Sequence, residues 1–159
     1  GVDGFANLPG SNWDGSGDAA PFQLTDEDLK KLAKKKTPVI PLFSHAQMQT
    51  GRTDAKDYTN KTLNRLFSQG VNVVIGSDDP QRTIRAELNY WYASGAVDNL
   101  QILKVLCENT PKAVFPKRKI ARIAEGYEAS FVVVAENPLQ NVLRARVADF
   151  KLKQGVFVR

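Results

Sequence analysis

Histidine, cysteine and methionine each occur only once in these 159 residues. A lone cysteine, Cys107, excludes a disulfide framework within the chain. No stretch of about 18 apolar residues occurs, so no segment is expected to span a membrane as a helix. The first residues, Gly1-Val2-Asp3-Gly4, carry no basic patch leading into an apolar block. No secretory signal is therefore expected, and a cytoplasmic location is the expectation. No internal repeat is visible. What is abundant is ordinary: 42% hydrophobic residues, enough for one domain with a core, or one domain and an appendage.

The net charge of +5 is unevenly spread. Residues 1–110 hold 12 basic and 13 acidic side chains, whereas 111–159 hold 10 basic and 4 acidic. The basic excess thus lies in the last third, densest at Lys117-Arg118-Lys119. No aromatic residues interleave with these charges and no nucleic-acid motif accompanies them, so a solvated basic face is expected rather than nucleic-acid binding.

The most informative stretch is Val71-Asn72-Val73-Val74-Ile75-Gly76-Ser77-Asp78-Asp79-Pro80. Its β-branched run reads as a strand buried on both faces, the kind found in parallel sheets. It turns abruptly acidic at its C-terminal end, the edge where parallel α/β proteins gather ligands and catalytic groups. Asp78 and Asp79 are either site residues or an acidic turn that caps the next helix.

Around it, strands and helices alternate. Phe5-Ala6-Asn7 reads as a brief strand, and residues 11–20, rich in Gly, Ser and Asp with Trp13 among them, as a loop. Thr25 and Asp28 form a capping box ahead of a helix that buries Leu29, Leu32 and Ala33 and turns its lysines to water. Val39–Phe43 is the next apolar run, and it leads into Ser44 and His45. A polar stretch over 46–58 precedes a helix from Thr59 that buries Leu63, Leu66 and Phe67 and stops at Gly70. A helix over 83–94 places Ile84, Leu88 and Trp91 or Tyr92 inward. The next, capped at Asp98, packs through Leu100, Leu103, Val105 and Leu106, and Thr110-Pro111 opens a short one. After Pro116 the pattern changes to short strands at 120–123, 129–134, 147–152 and 156–158, with Lys153-Gln154-Gly155 as a turn. The expectation is a parallel α/β part over 1–115 and a separate antiparallel layer after it.

Three stretches carry a family resemblance: Gly1–Gly10 (GVDGFANLPG), Gly76-Ser77-Asp78, and the tail from Glu108 through Pro116, Arg118–Val134 and Asn137-Pro138-Leu139. Together they resemble the C-terminal portion of the amidohydrolase superfamily, nearest to the imidazolonepropionase-like metal-dependent hydrolases. The resemblance implies part of a TIM-like (β/α)8 barrel, about strands six to eight, over 1–116, followed over 117–159 by the C-terminal share of a small β-sandwich. It implies hydrolysis of amide-like C–N bonds in small-molecule substrates, with one or two divalent metals, commonly zinc, activating a water in the complete enzyme. It gives Asp78 the roles of metal ligand and general base, and places Asn7, His45, Asp79 and Arg82 at the substrate. Asp79 stays open between a helix cap and a substrate contact, and Arg82 between an anion contact and a surface arginine.

The sequence departs from that pattern where the metal should sit. The family site takes several histidines, whereas Asn7 stands at the ligand position of one strand end, and a neutral amide oxygen is a poor zinc donor. His45 is at a position of substrate contacts. Three strands also cannot close a barrel, so a homo-oligomer or a complementing chain is expected to cover the open edge. The alternative is a non-catalytic remnant, a structural or ligand-binding subunit without a complete metal site, in which no metal binds.

Overall fold

The computed structural model describes residues 2–7, 17–18, 20–43, 53–81 and 83–158. The loop residues Ser11–Ser16, with Trp13, and the 44–52 stretch, with His45, lie outside the described residues, as does Arg82. The chain forms two compact units, 1–97 and 98–159. The break falls before the helices at 99–114, which the sequence pattern groups with the first part.

In the first unit, β1 (Phe5–Ala6) pairs in parallel with β2 (Val39–Ile40), with Phe5 opposite Val39 and Ala6 opposite Ile40. The 71–75 segment runs along the other side of β2. Val39 bridges Val73 in parallel, Val39 N–H donates to Asn72 O at 3.0 Å, and Val74 N–H donates to Val39 O at 2.9 Å. Val71, Val73, Val74 and Ile75 are all buried, as the apolar run predicts, although the regular ladder is limited to the bridge at Val73.

The helices that join these segments bury the stripes facing the sheet. Helix α1 (Asp26–Lys35) starts with the expected capping box: Asp28 N–H donates to Thr25 Oγ1 at 3.2 Å, and Thr25 N–H to the Asp28 carboxylate at 3.1 Å. Those bonds satisfy amide donors that a helix start otherwise leaves open. The Thr25 hydrogen bonds also hold the Asp28 carboxyl below its usual range. Only Leu29 of this helix is fully buried.

Helix α2 (Thr53–Ser68) begins six residues earlier than the sequence suggests. Its polar first turns are not a loop, because polar residues extend a helix freely on its wet side. Tyr58, Thr59, Leu63 and Leu66 form the buried stripe, and Tyr58 OH donates to Phe22 O at 2.7 Å. The helix closes on Gly70 at φ +70°, with Gly70 N–H to Phe67 O and Val71 N–H to Leu66 O, both 3.0 Å. This paired closure needs a left-handed residue, which glycine supplies without a Cβ clash.

Helix α3 (Arg85–Ser94) buries Glu87, Leu88 and Trp91, while Ile84 and Tyr92 are exposed, contrary to Ile84's expected place inside. Trp91 meets Phe67 edge-on, with ring centroids 6.0 Å apart. The core is made by Trp91, Phe43, Leu29, Leu63, Leu66, Val39 and Val73.

In the second unit, α4 (Asn99–Lys104) is capped by Asp98, whose carboxylate accepts Gln101 N–H at 2.7 Å. A π-helical turn over Val105–Asn109 leads into α5 (Thr110–Val114). Pro111 has no N–H to bond one turn back, so the ladder widens just ahead of it. The widening shifts the helix phase. Ile102 and Val105 are buried, whereas Leu100 is exposed. The Asn99 amide donates to Leu139 O and Gln140 O at 3.0 Å each, and its Oδ1 accepts Val142 N–H at 3.4 Å. That fixes the Asn137-Pro138-Leu139 stretch against α4.

Strands β3 (Phe131–Val133), β4 (Phe150–Lys153) and β5 (Val156–Val158) form an antiparallel sheet in that order. Gln154 and Gly155 both take positive φ, 53° and 79°, the tight two-residue turn whose twist suits a hairpin. Residues 120–123 are not a strand: Ile120 bonds locally to Arg118 O, Ala121 has φ +69°, and Ile123 is 94% exposed. β-branched residues form a strand only where a neighbour offers a ladder. No helix among the described residues is long and apolar enough to cross a membrane.

Candidate functional site

Parallel pairing sends β1, β2 and the 71–75 segment out at one edge, with β2 between the other two. Asn7 leaves β1 there, Pro41–Phe43 leave β2, and Gly76–Gln81 leave the third segment. The backbones at this edge are unusual. Asn7 has φ +56°, Leu42 φ +54° and Thr83 φ +56°. Asparagine enters that left-handed region readily, but leucine and β-branched threonine do so only under constraint from their surroundings. Such constrained backbones concentrate at functional sites.

Asn7 N–H donates to Ile40 O at 3.3 Å, extending the ladder one step beyond β1. Leu42 is buried despite its φ, and the next residue, Phe43, donates its N–H to Glu87 Oε1 at 3.0 Å. On the third segment Gly76 lies against β2: a Cβ there would stand 2.8 Å from Ile40 Cγ2. A larger residue would force the strands apart just before Asp78.

The acidic turn is built from its own side chains. Asp79 N–H donates to Ser77 Oγ at 3.1 Å, Ser77 Oγ donates to Asp79 O at 3.0 Å, and Asp79 Oδ1 accepts Gln81 N–H at 2.9 Å. Asp79 therefore performs the turn-closing task that Asp side chains favour. Asp78 is exposed at the tip of this turn. The exits of Asn7 and Asp78 share the edge. His45 follows Phe43 by two residues, and it and Arg82 lie outside the described residues.

A full divalent-metal site needs three or more protein donors of the right kind. Among the described residues no three His, Cys, Asp or Glu side chains gather in that way. Asn7 adds only an amide oxygen. These donors alone do not fit a complete metal centre.

A groove of about 640 Å³ lies between β1 and α1. It is lined by residues of 2–7 and 24–37, Phe5, Asn7, Leu24 and Lys35 among them. It touches the edge at Asn7 only and contains no residue of the 76–81 turn, so it is the open flank of β1 rather than the site.

One residue in this region escapes a motif search. Glu87 is 2% exposed, and its Oε1 also accepts Trp91 Nε1–H at 2.6 Å. A signal does exist in the sequence: an acid four residues before a tryptophan, in phase with the buried face of a helix.

Comparison with known proteins agrees with this arrangement. Residues 23–157 match the model of the amidohydrolase family. Ochratoxinase of Aspergillus niger is 31% identical over 84 residues, which make up 52% of this chain and 18% of that enzyme. A crystal structure of an amidohydrolase superposes with a TM-score of 0.67 at 17% identity, over 86% of this chain and 38% of its own. The structure of an uncharacterized protein gives 0.64 at 17% identity, over the same shares. The chain thus spans less than two fifths of each of these proteins and shares with the solved ones a mixed α/β fold. With the family model covering most of its length and the strand exits lying where a parallel α/β protein puts its chemistry, this chain belongs to the amidohydrolase family.

Proposed function

We propose that this chain supplies one edge of the active site of an enzyme hydrolysing amide-like C–N bonds, with Asp78 as the working carboxylate. The observation that carries this reading is the position of Asp78. It follows the third of three adjacent parallel segments, at their C-terminal edge, in a chain of the amidohydrolase family. In this reading the parallel segments are strands six to eight of a (β/α)8 barrel and the antiparallel sheet is part of a β-sandwich. Asp78 accepts a proton from the attacking water as its oxygen adds to the amide-like carbon, and the proton passes to the departing nitrogen. Asn7, His45 and Arg82 meet the substrate, and Asp79 shapes the turn. The family generally uses divalent metals. Asp78 would be one ligand, the others coming from outside the described residues. The match to ochratoxinase brings amides of aromatic acids into view as substrates, and the imidazolonepropionase-like resemblance brings cyclic ones.

The test is Asp78→Asn in the protein that contains this chain. Hydrolysis is expected to fall by about 10²-fold or more, and bound zinc, manganese or iron to drop below stoichiometry by elemental analysis. Unchanged turnover and metal content would overturn the reading.

A second reading rests on Asn7, whose amide cannot replace an imidazole as a zinc donor. Under it the edge binds a small ligand without hydrolysing it, and calorimetry would find ligand binding with no metal requirement. In either case we propose that a second copy or a complementing chain covers β1. Supporting this, Val2 and Phe5 are exposed beside the open groove. A monodisperse monomer in sedimentation, melting cooperatively, would remove that proposal.

A further inference from the structure

Glu87 joins two edges of the site from behind. It sits on α3, the helix that follows the Asp78-Asp79 turn, and reaches the backbone that leaves β2, 44 residues earlier in the chain. We propose that Glu87 is a positioning residue, whose carboxylate sets the path of the chain from Leu42 into the Ser44-His45 segment.

Three observations converge. First, Phe43 N–H is the only backbone donor shown bonding to the Glu87 carboxylate, at 3.0 Å and buried. The bond falls two residues before His45. Second, Leu42 holds φ +54° while buried. A leucine stays left-handed only where its surroundings over-determine it, and the clamp on the next amide is such a determinant. Third, the carboxylate is itself held in place. Trp91 Nε1–H donates to the same Oε1 at 2.6 Å, and Trp91 is fully buried against Phe67. A buried carboxylate is costly unless hydrogen-bonded, and an apolar residue would fill this volume at less cost. Its retention therefore calls for a task, and the task in contact with it is fixing the strand exit. The clamp stands on these bonds alone. Its bearing on substrate rests on the reading of His45 given under the proposed function.

The single histidine makes the test direct, since every imidazole signal in an NMR spectrum belongs to His45. Glu87→Ala is expected to speed hydrogen exchange at the Phe43 amide by roughly tenfold or more and to shift or broaden the His45 signals. Glu87→Gln keeps an oxygen acceptor and is expected to restore both towards the wild type. Glu87→Asp, one methylene shorter, gives the Ala result if Glu87→Ala does not fold. Leu29→Ala serves as a control for lost stability alone and is expected to leave the His45 signals in place. The proposal is overturned if Glu87→Ala leaves both readouts unchanged, if Leu29→Ala moves His45 as far, or if Glu87→Gln fails to restore them. These readouts need no turnover. A His45 response in a protein that proves to have no hydrolase activity would sink the functional reading and leave the clamp standing. Hydrolysis that depends on Asp78, with no His45 response to Glu87, would do the reverse.

Discussion

The first unit keeps its large apolar residues inside. Trp91, Phe43, Leu63 and Leu66 are fully buried, and the apolar stripes of α1, α2 and α3 all find cover. The sheet of the second unit does not. Its register sets Phe131, Val133, Phe150, Leu152 and Phe157 on one face, because Phe131 pairs with Leu152 and Leu152 with Phe157. That face is wholly apolar, yet Phe157 is 71% exposed. The opposite face mixes Val132, Val156 and Val158 with Lys151 and Lys153. The difference shows where each unit draws its order. The first relies on burial, worth about 25 cal/mol per Å² of apolar surface. The second relies more on local polar bonds: the Asn99 clamp, and the Arg118 guanidinium that donates to both Glu128 oxygens at 2.6 Å.

Removing the centre of the first core should separate the two most sharply. Trp91→Ala is expected to cost about 3–5 kcal/mol, the largest effect here. Hydrogen exchange followed by mass spectrometry should show protection lost over α1, α2 and α3 but kept in the β3–β5 hairpins. Equal loss in both units would end the distinction. Gly76→Ala tests the tight approach of the third segment to β2. Its Cβ would meet the stiff, β-branched Ile40, so about 1–3 kcal/mol should be lost in a chemical melt, with the Asp78 turn displaced.

For the second unit the lever is pH. The Arg118 hydrogen bond, helped by Ser130, lowers the Glu128 carboxyl from its ordinary 4.5 to about 2. A depressed carboxylate stabilises the fold fully above the unfolded value and loses that contribution as pH falls through the folded one. Stability of the second unit should therefore decline from about pH 4.5 towards about 2. Arg118→Ala should flatten that decline, as read by melts at stepped pH. The size will be modest, since the pair is partly in water. Smallest of all, Phe157→Ser should shift stability by no more than about 0.5 kcal/mol, as expected of an exposed site, while lowering any self-association seen in light scattering.

How far the sequence could be read depended on the range of the interaction. The Thr25–Asp28 capping box and the Gln154-Gly155 turn are legible because each closes over a few residues. The parallel order of β1, β2 and the 71–75 segment follows from helices placed between buried runs. Leu100 and Ile84 were misjudged as core because a π-helical turn and a late helix start changed the phase of otherwise sound patterns. Ile120–Ile123 looked like a strand and is not, since its neighbours offer no ladder. Thr53–Tyr58 looked like a loop because a helix's polar side carries no period of its own.

What the sequence alone decided about this protein is the alternation of elements, the greasy run ending in Asp78-Asp79, and the family to which the tail points. What only the folded chain decided is the meeting of distant groups: Glu87 with Phe43, Gly76 with Ile40, and Asn99 with the backbone at Leu139 to Val142. The reason is physical. Local patterns are set by backbone sterics and side-chain spacing within a turn or two, whereas a buried carboxylate finds its donor, and a glycine its close neighbour, only once packing has brought remote segments together.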